Sequence, residues 1–196
     1  MSFFRLLAAV SVAACFTAPT YAQQANTTLG NSDENPDPVF VFNRICYSQV
    51  PSVKAISDMA LKLAWKPLPR TEAEEFRSYP DTTTLEAWDV QVGERLFRVG
   101  LTQGTPPPSL AERFPGFAGG TATSCTMVLD DQQDAAEFMP NMQTLAGKRP
   151  ASRDVKEGLL LTTTWAGGND DIKVFLFGKH PPTGKGGLLN VTILQK

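Results

Sequence analysis

The stretch LEAWDVQVGERLFRVGL, residues 85–101, decides the fold class, because it holds two alternating segments joined by a short turn. Before Gly93, apolar Trp88 and Val90 alternate with polar neighbours, and the residues after Glu94 alternate in the same way. A period of two places one face of a β-strand in the core and the other face outside it. The order Gly93-Glu94 has the Gly-first form that a two-residue hairpin turn requires. The stretch therefore predicts two antiparallel strands.

Other segments of the chain predict more strands and two helices. Further strands are expected where apolar residues alternate or cluster between turn residues, at 39–47, 121–129, 158–165, 172–178 and 188–195. Apolar residues three and four apart predict one helix over 51–65 and a second that Asp130 or Asp131 caps, with Pro140 expected to kink or shorten it. We therefore predict an α+β fold, with an antiparallel sheet of about six strands and two main helices packed on one face.

Two cysteines occupy similar places in the two halves of the chain. Cys46 ends the predicted strand before the first helix, and Cys125 lies in the strand before the second helix. This order of elements predicts two related half-units. In an oxidising compartment Cys46 and Cys125 are expected to form a disulfide, which would join equivalent points of the two half-units. A free thiol activated near the helix start is the alternative for Cys46.

Residues 1–22 have the composition of a secretory signal peptide, with one positive charge, an apolar run and small residues at the end. We expect cleavage near Ala22 and a periplasmic or secreted location. Residues 23–38 have almost no apolar side chains and predict a flexible N-terminal segment. A single α+β domain is expected over residues 39–196. In an alternative interpretation, Cys15 is the acylated cysteine of an envelope lipoprotein.

Neither composition nor motifs indicate a specific chemistry. The formal charge of −2 gives no reason to expect a nucleic-acid partner, and no later apolar run has the length of a membrane span. The only histidine, His180, lies in a Gly/Pro-rich loop, and the chain has no Gly-x-Ser-x-Gly turn. We assign no catalytic residue, no metal ligand and no cofactor. An enzyme of unfamiliar type that uses His180 with nearby acids stays open as an alternative.

The segment QGTPPPSLAERFPGFAGG, residues 103–120, is unusually long for a link inside a compact domain. Long ordered loops of this kind are often binding loops. Its candidate contact residues are Leu110, Arg113, Phe114 and Phe117. In the simpler interpretation Leu110, Phe114 and Phe117 only fasten the loop to the core, and in the other the segment forms a contact surface for a ligand or a protein.

Several features occur together: an export signal, Cys46 five residues before Pro51, Trp65 at the end of the first helix, and a second cysteine in a later strand. In this combination the chain is similar to small exported proteins of unknown function from alphaproteobacteria. The resemblance covers residues 40–196 and implies the bacterial periplasm, but no activity. We therefore predict a non-enzymatic exported binding or interaction domain, whose partner is an envelope protein or a small ligand.

Overall fold

The computed structural model describes residues 36–196, and for residues 131–133 only the backbone. The predicted signal peptide and residues 23–35 of the predicted flexible segment lie outside the described residues. The fold is α+β, as predicted. The helices are α1 (Pro38–Phe42), continued by a π-helical turn (Asn43–Tyr47), α2 (Val53–Lys62), α3 (Arg70–Ala73), α4 (Pro108–Arg113) and α5 (Ala135–Ala146). Short 3-10 turns at Glu74–Phe76 and Pro115–Phe117 follow α3 and α4.

Within the described residues, all strands belong to one antiparallel sheet of eight, so the predicted number of about six was too low. The strands are β1 (Lys66–Pro67), β2 (Thr82–Val92), β3 (Arg95–Gly104), β4 (Thr121–Asp134), β5 (Ser152–Glu157), β6 (Leu160–Gly168), β7 (Ile172–His180) and β8 (Lys185–Gln195). Their order in the sheet is β1-β2-β3-β4-β8-β7-β6-β5. Each half of the chain therefore forms a four-stranded meander, and the meanders join where β4 pairs with β8.

The predicted hairpin is confirmed. Val92 pairs with Arg95, which leaves Gly93 and Glu94 as the two turn residues, and Gly93 has a φ of +58°. Glycine adopts this left-handed conformation without the steric cost that a Cβ brings. The turn therefore fixes the register of β2 against β3, with Trp88 opposite Val99.

The main core lies between one face of the sheet and helices α1, α2 and α5. Buried side chains from six of the strands form the sheet side of this core: Trp88, Val90, Phe97, Val99, Leu101, Cys125, Met127, Leu129, Trp165, Leu176, Leu189, Val191 and Ile193. Phe42, Ile56 and Phe138 pack on them from the three helices. The main helices therefore cover one face, and we call this the helix-covered face of the sheet.

The segment 39–47 is helical, so the predicted strand there is wrong. Asp37 accepts a hydrogen bond from the backbone N–H of Val39 at 2.7 Å, and Pro38 occupies the first helical turn, where its missing N–H costs nothing. Its short apolar run does not distinguish a strand from a buried helical turn by periodicity. The helix buries Val39, Val41 and Phe42 in the main core.

Cys46 and Cys125 form the predicted disulfide, with their Cα atoms 5.4 Å apart and a sequence separation of 79. Both residues are 0% exposed. Cys46 lies in the π-helical turn and Cys125 lies in β4, so the prediction that they occupy equivalent points of two half-units is wrong. The disulfide instead fastens the N-terminal helix to the centre of the sheet.

Strands β1 and β5 were not predicted, and the cap of helix α5 lies further along the chain than predicted. β1 has only two residues, and β5 is an edge strand whose residues are almost all exposed, so neither shows an apolar alternation. Helix α5 is capped by Asp134, whose carboxylate accepts from the N–H of Ala136 at 2.8 Å, because β4 extends beyond the predicted caps at Asp130 and Asp131. Pro140 lies inside α5 without ending it, and the helix runs for 12 residues.

Candidate ligand-binding groove

The opposite face of the sheet carries a groove of about 740 Å³, which falls in the range of small-molecule sites. Its floor consists of two rows of side chains that cross the central strands β4, β8, β7 and β6. The first row is Ser124, Thr192, Phe175 and Ala166, and the second is Thr126, Asn190, Phe177 and Thr164. These residues alternate along each strand with residues of the main core, which places them on the far side of the sheet.

The polar half of the floor is joined by hydrogen bonds. The Tyr79 hydroxyl donates to Ser124 Oγ at 2.8 Å, and Ser124 Oγ lies 2.5 Å from Thr192 Oγ1. The Thr192 hydroxyl donates to Asn190 Oδ1 at 3.1 Å, and Asn190 Nδ2 donates to Thr126 Oγ1 at 2.7 Å. These hydrogen bonds hold five polar side chains in fixed positions, four on strands β4 and β8 and one, Tyr79, on the segment that follows α3.

One wall of the groove is the segment that follows α3. Phe76 lies directly over Gly100 of β3, where any Cβ would overlap its ring. Tyr79 is buried three residues later, and burial raises the pKa of its phenol above the usual 10.0. Tyr79 is therefore neutral at physiological pH and acts as a hydrogen-bond donor to the floor.

The second wall is the predicted binding loop, and its four candidate residues divide into two pairs. Phe117 is buried with Tyr79 against the sheet, and Phe114 is half-buried with its ring centroid 5.5 Å from that of Phe175. These two rings fasten the loop. Leu110 and Arg113 of α4 line the groove. The segment is thus a loop folded onto the sheet, and one edge of it faces the open space.

Five charged side chains line the groove, and four of them have partners of opposite charge. Arg77 bonds to Glu74 at 2.6 Å, Lys179 to Glu157 at 2.8 Å, and Glu75 lies 3.8 Å from Arg98. The hydrogen bond from Lys179 lowers the pKa of the Glu157 carboxyl. These pairs therefore contribute little net charge to the groove.

Arg113 is the fifth charged residue of the groove. Its guanidinium lies 5.6 Å from the centre of the Phe114 ring, a cation–π arrangement. Among residues 36–196, no described carboxylate lies within ion-pair distance of Arg113. Its charge is therefore available to a ligand at the α4 wall.

His180 lies away from the groove, at the end of β7 on the helix-covered face. Its Nδ1 is 2.9 Å from the carbonyl of Pro181, and its Nε2 is 3.9 Å from Asp154 Oδ1. The nearby Thr163 hydroxyl donates to Asp154 at 3.3 Å instead of contacting the ring. Within the described residues, no hydroxyl or thiol forms a hydrogen bond with His180, so the imidazole has no nucleophile positioned for it to activate.

A second groove, of about 650 Å³, lies away from the first one, between α1, the end of α2 and β2. Phe40, Trp65 and Leu96 line it, together with the guanidinium of Arg44, which lies 5.7 Å from the Phe40 ring centre. Trp65 also contacts Trp88 edge to face, with 5.8 Å between ring centroids. This groove has apolar walls but no hydrogen-bonded polar floor of the kind found on the other face.

Sequence reasoning found the α4 wall but missed the polar floor. The signal for it is visible, because Ser124 and Thr126 alternate with buried residues of β4, and Asn190 and Thr192 alternate with buried residues of β8. The alternation alone does not show that the two pairs are neighbours. That follows only from the pairing of β4 with β8, which joins distant parts of the chain.

Comparisons with protein-family models, with curated proteins and with solved structures found no match for this chain. In the part of the chain that the structure describes, no helix is long and apolar enough to cross a membrane. Nor do three or more histidine, cysteine, aspartate or glutamate side chains come together there in a group that could hold a metal ion.

Proposed function

We propose that the protein is an exported binding domain without catalytic activity, and that a small ligand occupies the groove on the face opposite the main helices. The observation that carries the proposal is the hydrogen-bonded floor, in which the buried Tyr79, Ser124 and Thr192 hold the half-buried Asn190 and Thr126 in fixed positions between partly apolar walls. Ligand sites commonly combine an apolar concave surface with a few fixed polar groups of this kind.

The disulfide supports the exported location. A buried bond between Cys46 and Cys125 persists in an oxidising compartment such as the bacterial periplasm, whereas cytosolic thiols are kept reduced. The α4 loop supports binding over catalysis, since it supplies Leu110 and Arg113 as contact residues but places no nucleophile beside a base.

The proposal is tested by filling the groove. Ala166 is an exposed residue of β6 on the groove floor, so Ala166→Trp adds a large ring to the open space without disturbing the core. Leu159, 86% exposed at the turn before β6, provides the matched control Leu159→Trp, which adds the same ring outside the groove. Both variants are expected to fold, which circular dichroism and thermal melts would verify.

A chemically diverse small-molecule library would then be screened by thermal shift on the oxidised protein. We expect hits that stabilise the wild type and Leu159→Trp but not Ala166→Trp. Ligand binding stabilises a protein by mass action, so the midpoint shift should rise with ligand concentration. The proposal fails if no compound stabilises the wild type, or if the hits stabilise Ala166→Trp equally well.

A further inference from the structure

The hydrogen bonds of the groove floor run in one direction. A threonine hydroxyl has one proton, and the Thr192 hydroxyl gives its proton to Asn190 Oδ1. The short contact between Ser124 and Thr192 therefore has Ser124 as its donor, and Tyr79 donates in turn to Ser124. Each hydroxyl in the series therefore donates its hydrogen bond to the next side chain.

The series ends at Thr126. Thr126 Oγ1 accepts from Asn190 Nδ2, and within the described residues its own proton has no acceptor. Thr126 is half-buried and lines the groove. Thr126 thus offers a ligand an oriented O–H donor, which an acceptor oxygen would satisfy.

Arg113 provides a second group that requires an acceptor. Its guanidinium has several N–H donors and a full positive charge, and it is the charged residue of the groove without an ion-pair partner. Charge-assisted hydrogen bonds to a carboxylate are about twice as strong as neutral ones. Thr126 and Arg113 line the same space, so both favour an anionic oxygen ligand.

Another part of the lining is apolar. Leu110 closes the α4 side, Val128 and Leu188 lie at one end of the floor, and Phe175 and Phe177 stack with 6.4 Å between their ring centroids. Apolar surface of this kind is buried favourably by an alkyl or aromatic group. The ligand body that fits these walls is therefore apolar.

We propose, on the basis of the proposed function, that the groove binds a small amphipathic carboxylate. Its carboxylate accepts from Arg113 and from the Thr126 hydroxyl, and its apolar body lies against Phe175, Phe177 and Leu110. Burying the apolar body supplies the driving force, and the two donors select the charged end.

The test uses three probes that share a twelve-carbon chain and differ in the head group: laurate, dodecanol and dodecyltrimethylammonium. Isothermal titration calorimetry would measure their dissociation constants on the oxidised protein, below the concentrations at which they form micelles. We expect laurate to bind at one site per chain and at least about tenfold more tightly than dodecanol or the cation, as a charge-assisted pair predicts. The proposal is overturned if either of the other probes binds as tightly as laurate.

Two arginine variants locate the site. Arg113→Gln removes the guanidinium over Phe114, and Arg44→Gln removes the matched guanidinium over Phe40 in the second groove. We expect Arg113→Gln to weaken laurate binding at least about tenfold while dodecanol binding stays unchanged, and Arg44→Gln to leave both unchanged. Loss of laurate binding in Arg44→Gln with retention in Arg113→Gln would place the ligand in the second groove and overturn the proposal.

Thr126→Val tests the direction of the hydrogen bonds in the floor. The substitution keeps the shape of the side chain but removes its hydroxyl donor, so it should weaken the binding of laurate more than the binding of dodecanol. Equal weakening of both would show a purely structural effect and contradict the assigned donor. If no dodecyl probe binds at all, the carboxylate assignment is wrong, while the library screen with Ala166→Trp still decides whether the groove binds a ligand of another class.

Discussion

Reducing the Cys46–Cys125 disulfide should cost the protein a large part of its free energy of unfolding. The bond links the π-helical turn after α1 to β4, and both cysteines are fully buried in the main core. Reducing it removes no side-chain heavy atom from the core. The reduced protein therefore isolates the effect of the cross-link from any loss of packing.

The expected size of the effect follows from the sequence separation of 79 between the two cysteines. For a closed loop of this length, the chain-entropy model gives a loss of about 4.5 kcal/mol. Single domains are stable by only about 5 to 15 kcal/mol, so the reduced protein would be marginal. With a urea dependence of about 2 kcal/mol per molar, the midpoint of unfolding should fall by about 2 M.

The assay is equilibrium urea unfolding followed by circular dichroism, with and without reductant. Because the buried bond is inaccessible in the folded state, the sample would be reduced in denaturant and refolded under reductant. The double variant with Cys46→Ala and Cys125→Ala should be no more stable than the reduced protein, since it also loses core packing. A difference between oxidised and reduced protein below about 1 kcal/mol would refute the claim that the bond restrains a long loop.

Three further predictions concern the walls of the groove and the helices. Gly100→Ala should destabilise the fold by about 1 to 3 kcal/mol in urea unfolding, because the new Cβ overlaps the Phe76 ring. The control Gly119→Ala should have little effect, because the space around Gly119 is open. Equal losses of stability in the two variants would be inconsistent with Phe76 covering the sheet. Burial raises the pKa of Tyr79, so the stabilisation by its neutral phenol is complete below the unfolded value of 10.0 and is lost as the pH rises through the folded value. Tyr79→Phe should therefore be less stable than wild type at neutral pH but lose less stability in alkaline solution, and an unchanged alkaline loss would contradict the buried position. Ser52→Ala should cost about 1 kcal/mol in thermal melts, since Ser52 caps α2 through a 3.2 Å hydrogen bond; a melting temperature equal to that of wild type would argue against the cap.

Sequence reasoning predicted the parts of the fold in which local pattern and tertiary packing agree. The alternation around Trp88 and Val90 is strong because one face of β2 is buried in the main core. The strand predicted for residues 39–47 was wrong because nearly every position there is apolar, so the pattern does not separate a strand from a helix. The helix is determined by the Asp37 cap and by packing on β4. β5 was missed because an exposed edge strand needs no buried face.

The candidate groove was only partly predictable. The length of the segment 103–120 made it a candidate binding loop, with a structural loop as the alternative, and Leu110 and Arg113 line the open space. The polar floor depends on Ser124 lying opposite Thr192, which requires the correct pairing of strands from the two halves of the chain. A single sequence does not by itself specify which distant strands pair or in what register.

The most direct test of the account is a hydrogen-exchange footprint of the oxidised protein with and without laurate. If laurate occupies the proposed groove, amide exchange should slow in the two walls, at residues 75–79 and 105–114, because a bound ligand stabilises the segments that it contacts. Exchange at residues 59–65, which border the second groove, should not change. Slower exchange at 59–65, or no change in either wall, would contradict the proposal that the face of the sheet opposite the main helices is the binding site.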